Sequence, residues 1–257
     1  MNYNYHTHTF RCRHASGTEE EYIQTAIAGG IRKMGFSDHA PFAFPDGHQS
    51  GFRIPLEQAE EYVRTVSALL EKYAGQLQIY IGFEMEYYPT HFSKMLETVK
   101  NLGAEYLILG QHFIFDEYPG GVACGNATED VERLTEYANC VIAAIKSGVF
   151  TYVAHPDACH FVGDPAAYDR EMRRVCVASR EANIPLEINF LGLRTNRYYP
   201  NETFWKIVGE EGCPVTFGCD AHDPQSAFDA DSLCKARRLV SEYNLRYIGE
   251  PTLQPLK

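Results

Sequence analysis

The amino-acid sequence predicts an α/β fold in which parallel strands alternate with helices, either as a barrel or as an open doubly wound sheet. Short apolar runs alternate with amphipathic segments along the chain, and no linker or internal repeat divides it. The 257 residues are enough to bury one large core. We therefore expect a single domain over residues 1–257.

The predicted strands are apolar runs of four to seven residues. They lie at 3–8, 33–37, 78–84, 106–112, 150–155, 186–189 and 215–220. Because helix-length segments separate these runs, we expect the strands to be parallel and joined by crossover helices.

Segments between the strands have the spacing of amphipathic helices. Thr18 and Glu21 match a capping box, which predicts that a helix begins there. Apolar residues recur at helical intervals over 92–99 and over 131–145. No dinucleotide-binding or P-loop motif follows a strand, and we interpret the glycine-rich segment 120–125 as a covering loop.

The composition narrows the classes of partner. The formal net charge of −11 argues against nucleic acid and anionic membranes, because both attract basic surfaces. The sequence has no membrane-spanning apolar stretch and no signal-peptide core, so we predict a soluble, cytoplasmic protein. The eight cysteines lack Cys-x-x-Cys spacing and are predicted to be free thiols.

Side chains of metal-ligand type stand at or just after the C-terminal ends of the predicted strands. They are His6, His8, His14, His39, Glu84, His112, His155, Asp220 and His222. In a β/α barrel these strand ends meet on one face, where active sites are found. One His-x-His pair would be weak evidence, but nine such residues predict a metal cluster because buried ionisable groups need partners.

The number and type of these residues constrain the metal. Nine candidate ligands exceed the needs of one four-coordinate ion, so we expect two or three divalent ions. Imidazole and carboxylate together favour zinc, manganese or iron over calcium or magnesium. Glu84 is the candidate bridge, because a carboxylate has two oxygens, and Glu84 and Asp220 are the candidate catalytic carboxylates.

Six motifs resemble those of the polymerase-and-histidinol-phosphatase (PHP) family, in the order in which that family has them. They are His6-Thr7-His8, Ser37-Asp38-His39-Ala40-Pro41, Gly82-Phe83-Glu84, Gly110-Gln111-His112-Phe113, His155-Pro156-Asp157 and Asp220-Ala221-His222. The resemblance implies a distorted seven-stranded (β/α)7 barrel with three metal ions at the C-terminal strand ends.

The resemblance also implies a distribution of the ligands. The first ion would be bound by His6, His8, Glu84 and Asp220. The second ion would share Glu84 and add His112 and His155. The third ion would be bound by His14, His39 and His222.

Within that family the sequence is most similar to monofunctional histidinol-phosphatases, through segments 37–42, 186–189 and 192–194. The similarity implies a phosphate-monoester hydrolase that acts on L-histidinol phosphate in histidine biosynthesis. The alternative is another PHP-type phosphoesterase, either a phosphodiesterase or a nucleotide phosphatase. A catalytically silent domain would lack ligands, and an amidohydrolase would want a lysine at a strand end, which the sequence does not offer.

The predicted partner is a small phosphorylated substrate, and oligomeric state is left open. Arg194 follows the sixth strand and is the candidate catalytic clamp on phosphate, with Arg197 as the second candidate. Glu117 is a candidate for binding a cationic leaving group, as are Glu86 and Asp116.

Two further acids are predicted to orient metal ligands. Asp38 precedes His39, and Asp157 follows His155 two positions on. A carboxylate that accepts a hydrogen bond from one ring nitrogen fixes the direction in which the other nitrogen points. We therefore expect each acid to bind the ring of its neighbouring histidine.

Overall fold

Parallel strands form a curled sheet in this computed structural model, which describes residues 1–256. The strands are β1 (Tyr3–Asn4), β2 (Lys33–Phe36), β3 (Gln78–Met85), β4 (Tyr106–Leu109), β5 (Phe113–Ile114), β6 (Val122–Ala123), β7 (Leu186–Asn189), β8 (Pro214–Gly218) and β9 (Arg246–Tyr247). β1 to β4 pair in that order, and β7 to β9 pair in theirs, all in parallel. β5 and β6 form a separate antiparallel hairpin.

Single parallel bridges connect the two groups of strands. Val153 pairs with Leu109 at the end of β4 and with Leu186 at the start of β7. Thr7, beyond β1, pairs with Ala221, beyond β8. The sheet therefore curls round towards its first strand, which confirms the predicted α/β class with a curled parallel sheet.

The predicted strand at 150–155 is not a regular strand. Its backbone still bonds to β7, because Val153 donates to the carbonyl of Pro185 at 2.9 Å and accepts from Glu187 N–H at 2.9 Å. At His155 φ is +29°, outside the extended region, so the run ends there. The segment contributes isolated pairs instead of a ladder.

β1 is shorter than the strand predicted at 3–8, because the Asn4 side chain turns the backbone. Its Oδ1 accepts from the N–H groups of His6 and Cys219, each at 3.1 Å. Its Nδ2 donates to Thr7 Oγ1 at 2.9 Å. These bonds replace regular strand pairing after residue 4 and place both histidines of the first motif in the interior.

Eight α-helices are described between residues 1 and 256. They are α1 (Glu19–Ala28), α2 (Ala59–Lys72), α3 (Phe92–Asn101), α4 (Val131–Ser147), α5 (Pro165–Ala182), α6 (Phe190–Thr195), α7 (Glu202–Glu211) and α8 (Ala230–Glu242). The capping box that predicts α1 is present, since Thr18 and Glu21 each accept from the other's backbone N–H. The predicted helical segments 92–99 and 131–145 lie within α3 and α4.

The composition predicts no membrane-spanning stretch and eight free thiols. None of the helices in residues 1–256 has the length and apolar character needed to cross a bilayer. All eight cysteines are free thiols, as predicted, and only Cys234 is exposed. The other seven are buried, as free cysteines often are.

The two faces of the strands carry different chemistry. The odd-numbered residues of β3 from Ile79 to Met85 belong to the apolar core that the strands share with the helices. The even-numbered Gly82 and Glu84 face the inside of the curl. This alternation follows from the two-residue period of a strand. It separates the packing face of the sheet from the face that carries ionisable groups.

Tyrosines fill the inside of the curl below the strand ends. The cluster contains Tyr3, Tyr5, Tyr106 and Tyr152. Tyr106 Oη donates to the carbonyl of Tyr5 at 2.9 Å. Its side chain lies against Gly35 and Gly82, where an added Cβ would come within 2.0 Å of the Tyr106 hydroxyl and 2.3 Å of the ring, respectively. Glycine at these two positions admits the ring, and the tyrosines form a closed floor under the strand ends.

Candidate metal centre

The structure brings together all nine side chains that the sequence singles out as metal ligands. Seven of them follow or end a strand of the curled sheet on its C-terminal side, His155 follows the bridged residue Val153, and His14 lies in the segment before α1. Groups of three whose ligand atoms lie within 4.8 Å of one another include His6, His8 and Glu84; His39, Glu84 and His112; and His14, His39 and His222. Cys12, which the sequence predicts only to be a free thiol, forms such a group with His8 and His222.

Glu84 is at the centre of the cluster. Its Oε2 lies 3.5 Å from His6 Nε2, 3.4 Å from His8 Nε2 and 3.2 Å from His39 Nδ1. Its side chain is only 1% exposed. One carboxylate oxygen is therefore shared among three imidazoles.

The second oxygen of Glu84 faces two other histidines. Oε1 lies 2.9 Å from His155 Nε2 and 3.4 Å from His112 Nε2. Gly110 makes room for this carboxylate, because a Cβ there would lie 1.8 Å from Oε1. Glu84 thus has one oxygen towards each of two histidine groups, which is the arrangement of a bridging ligand.

Asp220 is a second carboxylate near His6 and His8, the histidines that also face Glu84 Oε2. Its Oδ1 lies 3.5 Å from His6 Nε2, 3.3 Å from His8 Nε2 and 3.2 Å from His222 Nδ1. Asp220 has φ of +46°, which L-residues rarely adopt. Arg194 supports this backbone by donating to the carbonyls of Cys219 at 2.8 Å and Asp220 at 2.6 Å. Such strain concentrates at functional sites.

His14, His39 and His222 form the outer part of the cluster. His14 Nε2 lies 3.0 Å from His222 Nε2. The His14 and His39 rings are 5.3 Å apart between centroids. The opposite nitrogen of His14 lies 2.8 Å from the carbonyl of Cys12, which fixes the ring.

Several buried atoms of the cluster have no hydrogen-bond partner. They include His6 Nε2, His8 Nε2, Glu84 Oε2 and Asp220 Oδ1. Burying such groups without partners is costly. Two ligand atoms about 2.1 Å from one tetrahedral ion would be roughly 3.4 Å apart. The four atoms are separated by 3.3 to 3.5 Å where they face one another, so their geometry fits a shared cation.

The protonation equilibria reflect this crowding. Burial raises the pKa of the Glu84 carboxyl, but the nearby His112 and His6 outweigh burial and hold that pKa well below its usual value. Burial likewise opposes ionisation of Asp220, and His6 and His222 outweigh it, so the pKa of Asp220 is also lowered. Both groups are therefore carboxylates at neutral pH, the form that binds cations.

The pKa values of the three outer histidines are also lowered, which favours the neutral form of each ring. Burial lowers the pKa of His14, His39 and His222, and neighbouring histidines lower it further. Neutral imidazole is the form that binds a metal ion. The third group is thus held ready for a cation without first losing a proton.

Carboxylates behind the cluster orient two of its rings. Glu187 Oε1 lies 2.8 Å from His6 Nδ1, and Glu86 Oε1 lies 2.7 Å from His112 Nδ1. Asn189 Nδ2 joins Glu187 Oε2 at 2.9 Å to Asp220 Oδ2 at 3.0 Å. These roles were not predicted from the sequence, although the alternation in β7 indicates that Glu187 and Asn189 face inwards.

The two orienting acids that the sequence predicts have other partners. Asp38 accepts from the backbone N–H of His39 at 2.8 Å, while the ring nearest to it is that of His8, with Nδ1 at 3.5 Å. Asp157 Oδ2 accepts from the Trp205 indole N–H at 3.2 Å and from the backbone N–H of Asn201 at 2.6 Å. Asp157 therefore anchors α7 and does not orient a ligand ring.

A cavity of about 740 Å³ lies over the cluster. Its walls outside the cluster are formed by Gly51, Phe52, Phe113, Ala123, Cys124, Gly125, Ala158, Leu191, Arg197, Tyr198 and Tyr199. Among these described wall residues Arg197 carries the only positive charge. The segment interpreted from sequence as a covering loop contributes Gly125 and contains part of the β5–β6 hairpin.

The predicted phosphate clamp is not in this cavity. Arg194 lies on α6, and its guanidinium binds the carbonyls behind Asp220 and faces Asp229 at 3.7 Å. Arg197 lines the cavity, and its Nη1 donates to Tyr199 Oη at 2.9 Å. Arg194 lies outside the cavity wall because α6 begins at Phe190, directly after β7, and its guanidinium is bound to the backbone carbonyls at Asp220; its role as a phosphate clamp stays a prediction.

The acids predicted to bind a leaving group are also engaged elsewhere. Glu117 forms an ion pair with Arg53 Nε at 2.7 Å, and Glu86 with Arg53 Nη2 at 2.6 Å. Asp116 accepts from Thr90 Oγ1 at 2.7 Å. The structure therefore does not bring any of these three carboxylates to the cavity wall.

Comparisons with known proteins agree with this geometry. The profile of the PHP domain matches residues 4–190. A probable histidinol-phosphatase of Deinococcus radiodurans is 30% identical over 228 residues, which cover 85% of each protein. The histidinol-phosphatase of Bacillus subtilis is 25% identical and covers 84% of this chain and 92% of its own.

A solved structure has the same fold. It is the histidinol phosphate phosphatase of Lactococcus lactis, crystallised with zinc, L-histidinol and phosphate, and its TM-score to this chain is 0.74. The two sequences are 21% identical, and the match covers 100% of this chain and 98% of the other.

We predict that Glu84→Ala loses more metal than His14→Ala. Glu84 faces five histidines through its two oxygens, whereas His14 faces only the outer group. The expected difference is about one ion per chain, measured by elemental analysis after purification without chelators. Circular dichroism should show both variants folded, and equal metal content in the two would contradict a bridging Glu84.

Proposed function

This chain belongs to the PHP domain family, and on that premise we propose that it is a metal-dependent phosphate-monoester hydrolase acting on L-histidinol phosphate. The products would be L-histidinol and phosphate. The observation that carries the proposal is the set of unpartnered, buried lone pairs that converge at the base of an open cavity. The names of the relatives support the choice of substrate.

The metal stoichiometry and the closed barrel are further parts of the proposal. We infer two or three ions of zinc, manganese or iron, because the nine ligand-type residues form overlapping groups of three, two of which share Glu84. Seven strand positions, counting the bridged residue Val153, would make the distorted seven-stranded barrel. We also propose that residues 1–257 form one PHP domain with a small phosphorylated substrate as partner.

The side chains of this protein bind and orient the reactants. Glu84 and Asp220 would hold the cations, with the imidazoles around them fixed by Glu187 and Glu86. Bound divalent ions supply Lewis acidity, which neutralises phosphoryl charge and lowers the pKa of water. Arg197 reaches the cavity with N–H groups to spare and would bind a phosphoryl oxygen as negative charge builds up.

The aromatic walls would exclude water and bind the leaving group. Phe52 and Phe113 face each other across 5.7 Å between ring centroids, and Tyr198 and Tyr199 line the cavity as well. An imidazole ring fits such a wall by stacking, and an ammonium group by contact with ring faces. Among the described wall residues, Glu84 and Asp220 are the only carboxylates.

The second candidate is another PHP-type phosphoesterase, a phosphodiesterase or a nucleotide phosphatase. The observation in its favour is that same lack of a wall carboxylate beyond Glu84 and Asp220 to pair with an ammonium group. A planar base would also stack on the aromatic wall. Several relatives are named only as probable phosphatases.

Steady-state kinetics distinguish these candidates. We expect metal-replete protein to hydrolyse L-histidinol phosphate with kcat/KM at least about 10-fold above each nucleotide monophosphate, sugar phosphate and diester tested beside it, a difference of ~1.4 kcal/mol in transition-state binding. Higher kcat/KM for a diester or a nucleotide would instead establish the second candidate. Protein stripped of metal and assayed in chelator is the control for contaminating phosphatases.

We predict that Arg197→Ala lowers kcat/KM on the best monoester by roughly 10- to 100-fold, because charge-assisted hydrogen bonds contribute ~1.5–3 kcal/mol each. Its metal content should stay at the wild-type level, since Arg197 contacts Tyr199 and no candidate ligand. Arg133→Ala, on the exposed face of α4, is the matched control and should change neither quantity. Wild-type kinetics in Arg197→Ala would remove Arg197 from the substrate site.

A further inference from the structure

Arg53 carries a charge and is nevertheless only 2% exposed. It lies between β2 and α2, directly after the cavity residue Phe52, and its guanidinium carbon lies 4.7 Å from the centre of that ring. Its burial could not be predicted from the sequence, because the segment around it is irregular. A buried guanidinium needs acceptors for its N–H groups, so its partners show what it holds in place.

The first partner leads to the metal cluster. Arg53 Nη2 lies 2.6 Å from Glu86 Oε2, and Glu86 Oε1 lies 2.7 Å from His112 Nδ1. Glu86 is fully buried. A carboxylate at Nδ1 keeps the proton on that nitrogen and leaves the Nε2 lone pair directed at Glu84, 3.4 Å away. Arg53 thereby fixes the carboxylate that fixes the ring.

The second partner leads to the cavity wall. Arg53 Nε donates to Glu117 Oε2 at 2.7 Å. Glu117 lies in the connection between β5 and β6, the hairpin that spans residues 113–123. Phe113 and Ala123, at the two ends of this hairpin, line the cavity. The ion pair with Glu117 therefore fastens the hairpin to the rest of the molecule.

The remaining donors bind the segments that follow β2 and β3. Nη1 donates to the carbonyl of Ala40 at 3.2 Å, and Nη2 donates to Tyr88 Oη at 3.2 Å. Ala40 adjoins His39 and donates its own N–H to the carbonyl of Glu84 at 2.8 Å. One planar group thus joins the three segments that carry His39, Glu84 and the hairpin.

From these contacts we propose that Arg53 is a positioning residue, which sets the ring of His112 through Glu86 and the hairpin wall of the cavity through Glu117. The role rests on the proposed phosphatase function, because it serves both the metal ligands and the substrate wall of that reaction. Lysine cannot replace it. An ammonium group is a compact point charge without the planar fork that reaches two carboxylates and a carbonyl in fixed directions.

Three variants separate the two arms, which are the path from Arg53 through Glu86 to His112 and the path from Arg53 through Glu117 to the hairpin. Glu86→Gln weakens the arm to His112, Glu117→Gln weakens the arm to the hairpin, and Arg53→Lys weakens both. Arg173→Lys is the matched control, because Arg173 likewise binds several carboxylates, those of Asp169, Glu210 and Glu211, but lies on the outer face of α5. Each protein is measured for Co²⁺ affinity and visible Co²⁺ spectrum, for amide hydrogen exchange over residues 113–123, and for kcat and KM.

We expect Glu86→Gln to weaken Co²⁺ binding by roughly 10- to 100-fold and alter the Co²⁺ spectrum, while exchange in the hairpin stays as in wild type. Glu117→Gln should speed hairpin exchange and raise KM roughly 10-fold, the effect of losing one charge-assisted hydrogen bond, with an unchanged spectrum. Arg53→Lys should show both sets of changes. Arg173→Lys should show neither.

The proposal is overturned if Arg53→Lys shows only one set of changes or none, or if Glu117→Gln leaves hairpin exchange at the wild-type rate. If Arg53→Lys does not fold, the separate effects of Glu86→Gln and Glu117→Gln decide in the same way. The Co²⁺ spectrum and the exchange rates do not depend on turnover. A wild-type protein that hydrolyses no phosphomonoester would therefore count against the proposed function while leaving the role of Arg53 open to these two measurements.

Discussion

The buried carboxylate of Glu84 lies 2.9 to 3.5 Å from five imidazoles. The surrounding segments must leave room for this group and supply partners for its two oxygens. The carboxylate needs Gly110 beside it, since any Cβ there would collide with Oε1. Ionisable groups at this density and depth do not stabilise a fold by themselves, because desolvation opposes them. Bound cations would supply the missing partners, so the site is complete only when it binds ions.

The two-residue period of the strands connects this site to the fold. Outward side chains of β3, β7 and β8 form the apolar core with the helices, while inward side chains form the tyrosine floor and, at the strand ends, the cluster. Gly218 repeats the role of Gly110, because a Cβ there would lie 1.7 Å from Glu187 Oε1. On the inward face, small residues thus lie next to large polar ones. Because side chains alternate between the two faces of a strand, packing of the apolar face also determines which side chains point into the site.

Much of this could be predicted from the sequence, because periodicity gives the strands and parallel strand ends must meet on one face. Positions that depend on irregular or helical geometry could not be predicted. Arg194 and Arg197 are three residues apart, and only the start of α6 at Phe190 decides which one reaches the cavity. Likewise the orienting partner of His6 is Glu187, 181 residues away, instead of a neighbour in sequence. Arg53 has no periodic neighbours that mark it as buried.

Binding of a cluster of divalent ions by these nine side chains is the proposal on which the proposed function depends. Anomalous diffraction from crystals of protein loaded with a single transition metal tests it most directly, because it locates each ion relative to its ligands. We expect two or three peaks at the base of the cavity, with one on each side of Glu84 and ligand distances of about 2.0–2.2 Å. A single peak, or peaks that lie away from Glu84 and Asp220, would contradict it.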